Sequence, residues 1–163
     1  TMADKATGSL SASIFMDEVK STMSGSSIYE PKDANDKWVF AEVAVGNGAS
    51  TNLLSVASDT EITFLGSGTE LVAGDYIEWI AIKNISTTAT EGVGIDFNAG
   101  TAAFDLKTTM IIGAGEMFIA KVPNATVEDL HARSCVMDGT YGYAESQGAT
   151  TVTVQVAAII DDT

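Results

Sequence analysis

Residues 92–122, GVGIDFNAGTAAFDLKTTMIIGAGEMFIAKV, set the fold class of this chain. Val93, Ile95 and Phe97 alternate with Gly92, Gly94 and Asp96, the period of two expected when one side of a strand is buried and the other is free. Asn98-Ala99-Gly100 can supply a turn with positive φ, and Ala102-Ala103-Phe104-Asp105-Leu106 opens a second apolar run. Met110-Ile111-Ile112, Gly113-Ala114-Gly115-Glu116 and Met117 to Val122 then follow as strand, turn and strand. These spacings leave no room for a helix, and the stretch carries no reaction centre.

On the carboxyl side, Val127 to Ala132 allows one helical turn, but Leu130, Ala132, Ser134 and Val136 alternate, so a strand from Leu130 is expected. Asp138 to Gly148 is a glycine-rich, tyrosine-bearing loop or hairpin. Val152, Val154, Val156, Ala158 and Ile160 alternate with polar residues as a clean strand. On the amino side, the long aromatic run Gly74–Asn84 belongs inside a sheet by β propensity. Lys37–Val45 is apolar at nearly every position, which predicts a strand covered on both sides or lying between core and subunit interface. Leu53–Val56 and Glu61–Leu65 are shorter candidates. Ala73-Gly74-Asp75 leading to Asn84 and Ala114-Gly115-Glu116 leading to Asn124 repeat one phrase. Two copies are too few for a solenoid, and they are expected to be equivalent strand openings in two packed sheets.

Within residues 1–36, Leu10, Ala12, Ile14 and Met16 alternate against Ser11 and Ser13 and predict one short strand. Residues 21–27 and 30–36 have the composition of loop. The expected organisation is an N-terminal extended arm over 1–36 and an antiparallel β-sandwich domain over 37–163. Its many short strands and long connections favour the jelly-roll type within the all-β class. The arm either docks on a neighbouring subunit or wraps the surface.

A chain of 163 residues buries roughly 70% of its unfolded surface and needs no staple. Eight Lys plus Arg against 22 Asp plus Glu give a formal charge of −14, which repels phosphate backbones and anionic lipid, so neither nucleic acid nor membrane is an expected partner. No apolar run reaches the roughly 18 residues of a membrane span. The first twenty residues lack a basic leader with an apolar core, and Thr1 is compatible with removal of an initiator methionine, so cytosolic synthesis is expected. Cys135 is the single cysteine and is expected to be a buried, inert thiol.

Nucleophilic catalysis needs a histidine in reach of a hydroxyl or thiol. His131 is the one histidine, and on an extended strand Cys135 lies about 13 Å from it. Carboxylate pairs carry no weight among 22 acids. Asp33, Asn35 and Asp36, or Asp161 and Asp162, offer oxygen ligands without the spacing of a calcium loop. Gly113-Ala114-Gly115 lacks the remaining glycine or lysine of a phosphate loop. Trp38, Trp79 and Tyr76 suit core or interface packing. The expectation is therefore a non-enzymatic protein with no catalytic residue, no cofactor and no metal.

Taken together, AGDYIEWIAIKN, GVGIDFNAG, IIGAGEMFIAKV, LHARS and TVTVQVAAIIDD, all within residues 73–163, resemble the small β-rich virion structural proteins of tailed bacteriophages, especially marine ones, that decorate or cement the capsid. The resemblance implies a jelly-roll body, a homotrimer, bound to the major capsid protein on the outer capsid surface of the virion after synthesis in the host cytoplasm. It does not extend over the arm. The candidate capsid or subunit contacts are the arm's apolar residues Leu10, Ile14, Phe15, Met16, Ile28 and Tyr29. The alternative is a receptor- or glycan-binding fibre or adhesin module, which would use Tyr141 and Tyr143.

Overall fold

The computed structural model describes residues 5–16, 19–30, 36–46, 50–54, 62–64, 71–97, 110–122, 125–138, 142–144 and 151–161. In chain order the strands are β1 (Ala6–Met16), β2 (Val19–Tyr29), β3 (Lys37–Val45), β4 (Thr51–Asn52), β5 (Ile62–Phe64), β6 (Tyr76–Asn84), β7 (Glu91–Asp96), β8 (Met110–Ile112), β9 (Met117–Ala120), β10 (His131–Asp138), β11 (Gly142–Ala144) and β12 (Val152–Asp161). Among the described residues there is no α-helix, only a 3-10 turn at Val127–Asp129, and the protein is all-β with antiparallel sheets.

β1 and β2 form a two-stranded sheet of their own. A five-stranded sheet runs β5-β3-β12-β6-β9, and a second runs β11-β10-β7-β8, with β4 on the same edge of β10 as β11. The pairings of the two larger sheets are nested. β3 pairs with β12, β4 with β10, β6 with β9 and β7 with β8. The chain from β3 to β12 is thus one long hairpin, doubled back between β7 and β8 and rolled so that successive pairs fall in opposite sheets.

Strand alternation builds the core. Val39, Ile80 and Val154 from one sheet meet Val93, Ile95 and Ile112 from the other in a single cluster, and burial of this apolar surface is the main stabilising term. Val93 and Ile95 are 0% and 2% exposed, as their alternation predicts, but the expected free face is corrected: Gly92 and Gly94 are buried as well, so β7 is covered on both sides. β6 lies between β12 and β9, inside its sheet as its aromatic character predicts. On β3 the expected cover on both sides is corrected: within the chain Val39, Ala41 and Val45 are buried but Phe40, Glu42 and Ala44 are exposed. Its continuous apolarity therefore marks a half-covered strand.

The repeated Ala-Gly-acid phrase forms one turn used twice. Gly74 and Gly115 take φ of 100° and 76°, a region open chiefly to glycine. The N–H of Asp75 donates to the Val72 carbonyl at 3.1 Å, and that of Glu116 to the Gly113 carbonyl at 3.0 Å. Each acid also reaches back: Asp75 Oδ2 accepts the N–H of Val72 at 2.9 Å, and Glu116 Oε2 that of Gly113 at 2.8 Å. The expected placement is corrected, because the strands that follow, β6 and β9, are neighbours in one sheet. Identical turn chemistry fixes how a strand begins, not which sheet it joins.

Asn84, the last residue of β6, ties the two sheets together. It is fully buried, and its Nδ2 donates to the carbonyls of Glu91 at 3.0 Å and Ile112 at 3.2 Å, both in the facing sheet. Its Oδ1 accepts the N–H of Ser86 at 3.0 Å.

Candidate interaction surface

The expectation of one short strand within residues 1–36 is also corrected. β1 and β2 pair without interruption from Ala6↔Tyr29 to Met16↔Val19, so residues 21–27, expected as loop, are strand. Directly paired residues share a face and faces alternate along each strand. Ala6 and Tyr29, Gly8 and Ser27, Leu10 and Gly25, and Ala12 and Met23 therefore lie on one side. Thr7 and Ile28, Ser9 and Ser26, Ser11 and Ser24, and Ser13 and Thr22 lie on the other, where the Ser13 and Thr22 hydroxyls are 3.4 Å apart.

The base of this hairpin sits on the outer face of the β3-β12-β6-β9 sheet. Strand register lines up Trp38, Ile159 and Trp79 across β3, β12 and β6, and Ala6 and Tyr29 pack on that row, with Trp79 and Ile159 buried beneath them. A second row, Phe40, Ala157, Ala81 and Ile119, runs alongside. Gly8 crosses Ile119 so closely that a Cβ at Gly8 would stand 2.6 Å from Ile119 Cδ1. The absence of a side chain at Gly8 is what lets the hairpin lie down on β9.

Polar groups lock the same base. The Tyr29 hydroxyl donates to Asp36 Oδ2 at 3.2 Å, and Lys121 Nζ stands 5.9 Å from the Tyr29 ring centroid, within cation–π range. Burial, and then the negative charges of Asp36, Glu78 and Asp161, push the Tyr29 phenol well above its ordinary value. Next along the chain, Lys37 Nζ meets Asp75 Oδ2 at 3.0 Å, with the two side chains 3% and 1% exposed. Trp79 Nε1 is buried without a hydrogen-bond partner among the described residues.

Beyond the base the hairpin leaves the body. Residues 9–13 and 21–26 are exposed, with Leu10 at 49%, Met23 at 59% and Ile28 at 49%. Over Ala6–Met16 and Val19–Tyr29 the only charged residue is Lys20, in a chain of net charge −14.

The expected contact residues are thus divided. Leu10 and Ile28 are exposed on opposite sides of the hairpin. Tyr29 is 5% exposed and holds the hairpin to its own body. Ile14, Phe15 and Met16 continue β1, but their side chains lie outside the described residues, as do those of Tyr141 and Tyr143. Met23 escaped sequence reasoning because it stands alone among Ser, Thr and Gly; only its pairing with Ala12 reveals its face.

Elsewhere, His131 and Cys135 lie on β10 four positions apart. Cys135 is 1% exposed, and burial raises its thiol above the ordinary value. Among the described residues, no cluster of three or more His, Cys, Asp and Glu could hold a metal ion, and no helix is long and apolar enough to cross a membrane. Asp33, Asn35 and Asp162 lie outside the described residues. Comparison of the chain with protein-family models, with curated proteins and with solved structures finds no match.

Proposed function

We propose that this chain is a non-enzymatic bacteriophage capsid decoration, or cement, protein. It binds the outer surface of the major capsid protein lattice as a homo-oligomer, a trimer in the form the family resemblance implies, and stabilises the head by bridging capsomers. The observation that carries this reading is the hairpin, clamped at its base on the body and projecting paired strands with Lys20 as their one charged residue and with exposed Leu10, Met23 and Ile28. Such an element suits adhesion to protein, and many modest contacts repeated over a lattice give avidity that one copy lacks.

The body is read as a jelly roll. Support comes from the nested pairing: taking β3, β4, β6, β7, β8, β9, β10 and β12 as strands one to eight, one sheet orders 1-8-3-6 and the other 2-7-4-5. Jelly rolls are common in viral capsid proteins. The charge of −14 favours the outside of a shell over a lumen filled with polyanion.

The test is co-sedimentation of the full chain with undecorated shells. Wild type is expected to pellet with shells, and Ile28→Asp with Leu10→Asp to abolish this while leaving the far-UV circular dichroism unchanged. A folded double variant that pellets like wild type overturns the reading.

A further inference from the structure

We infer that the apolar side of the hairpin is a docking surface for another copy of this chain. A knob and a hole stand next to each other there. The knob is Met23, 59% exposed and paired with Ala12. The hole is a hollow of about 210 Å³ between hairpin and sheet, lined by Gly8, Leu10, Gly25, Ser26, Ser27 and Ile119. Gly25 follows Met23 on the same side, one rung nearer the base. A patch that carries both halves of a contact is self-complementary: two copies satisfy each other across a two-fold axis, or several in a ring.

Glycine shapes the hole. Gly8 presses on Ile119, which gives the hollow a fixed floor, whereas a Cβ at Gly25 would meet nothing within 4 Å. The space above Gly25 is therefore open and unclaimed by the chain itself.

Charge selects the occupant. A basic partner would be drawn to the acidic body, or to Asp17 and Glu18 between the two strands in sequence, rather than to strands that carry Lys20 alone. A second chain of charge −14 is repelled by that body, and the paired strands, with Lys20 as their one charged residue, are where it can approach at least electrostatic cost. The ribbon also needs a cover, because two strands without a packed face are marginal in water. Apolar side against apolar side supplies one and leaves the Ser and Thr side to solvent. Ile28, on that opposite side, remains free for the shell. The inference rests on the homo-oligomer of the proposed function and names its surface; its test contains no shell, so its failure is told apart from a failure of shell binding.

The test is the mass of the full chain by light scattering and sedimentation, over a concentration series at about 0.15 M and about 0.5 M salt. Wild type is expected to be a dimer or a trimer, tighter at the higher salt as the like charges are screened. Met23→Ser removes the knob and Gly25→Leu fills the hole. Each is expected to weaken association by about tenfold or more, with circular dichroism unchanged, whereas Ile28→Ser leaves it as in wild type. A monomer at both salts, or association that neither Met23→Ser nor Gly25→Leu weakens, or that Ile28→Ser weakens equally, overturns the inference. Should either variant lose its circular dichroism, Leu10→Ser at the rim of the hollow takes its place with the same expected loss.

Discussion

The Tyr29 hydroxyl reaches Asp36 Oδ2 at 3.2 Å across the root of the hairpin, and both residues are almost fully buried. The bond closes the segment that joins hairpin to body, next to the Lys37–Asp75 ion pair. With Ala6 and Tyr29 clustered with Trp79 and Ile159, the hydroxyl bond makes the hairpin's root part of the body's own packing.

The first prediction concerns pH. The Tyr29 phenol is pushed up by burial and by Asp36, Glu78 and Asp161, so the folded state holds its proton more tightly than the unfolded chain, where the value is about 10. Its contribution to stability is fully present below about pH 10 and is lost as pH rises above that value. Urea midpoints of wild type should fall through this alkaline window. Tyr29→Phe should cost about 1 kcal/mol near neutral pH and flatten the fall.

Lys37 and Asp75 exclude water from their contact, so removing one partner leaves a charge in an apolar setting. Lys37→Met or Asp75→Leu alone should each destabilise by about 3–5 kcal/mol. The double replacement should recover part of that loss, although the Val72 N–H that Asp75 accepts would stay unpaired. Chemical denaturation of all four chains closes the cycle.

Gly8 and Ile119 should behave as a coupled pair. Gly8→Ala drives a methyl into Ile119 Cδ1 and Cγ2 and should cost about 1–3 kcal/mol by overpacking. It should also loosen the hairpin from Trp79, read as a shift in tryptophan emission and faster proteolysis near the hairpin root. Ile119→Ala in the same chain should restore the seating. A hairpin that did not lie on β9 would show no such coupling.

Asn84 offers a charge-sensitive probe of the sheet-to-sheet bridge. Asn84→Leu strips the donor from one buried and one partly buried carbonyl and should cost about 2–4 kcal/mol. Asn84→Asp places a carboxylate against those carbonyls, which raises its folded-state pKa. That variant should be most stable in acid, where the protonated group can donate, and should lose stability as pH rises through the raised value.

How far the amino acids alone reveal this architecture depends on the range of the interactions. Val93 and Ile95, and Val152 to Ile160, announce their strands because large apolar side chains at every second position impose a local period. Gly115 announces its turn through the local Gly-Ala-Gly run, whereas Gly74, read as the first residue of a strand, lies in the turn before Tyr76. β2 stays hidden because Ser-Thr-Met-Ser-Gly-Ser-Ser carries no apolar period; its strand state comes from pairing with β1. Tyr29 is legible as apolar, but its inward orientation depends on Trp79 and Ile159, distant in sequence. The Met23 knob and the Gly25 hole are likewise properties of register.

The nesting of strand pairs also dictates an order of assembly. Of the nested pairs, β7 and β8, the innermost, join across the shortest separation, whereas β3 must wait for β12, made long after it, to enter between β3 and β6. Until then two long apolar strands present open edges to every other nascent copy in the cell. Refolding should accordingly be slow for a chain of this size and strongly dependent on concentration, with the seam between β3 and β6 as the place where misassembly begins.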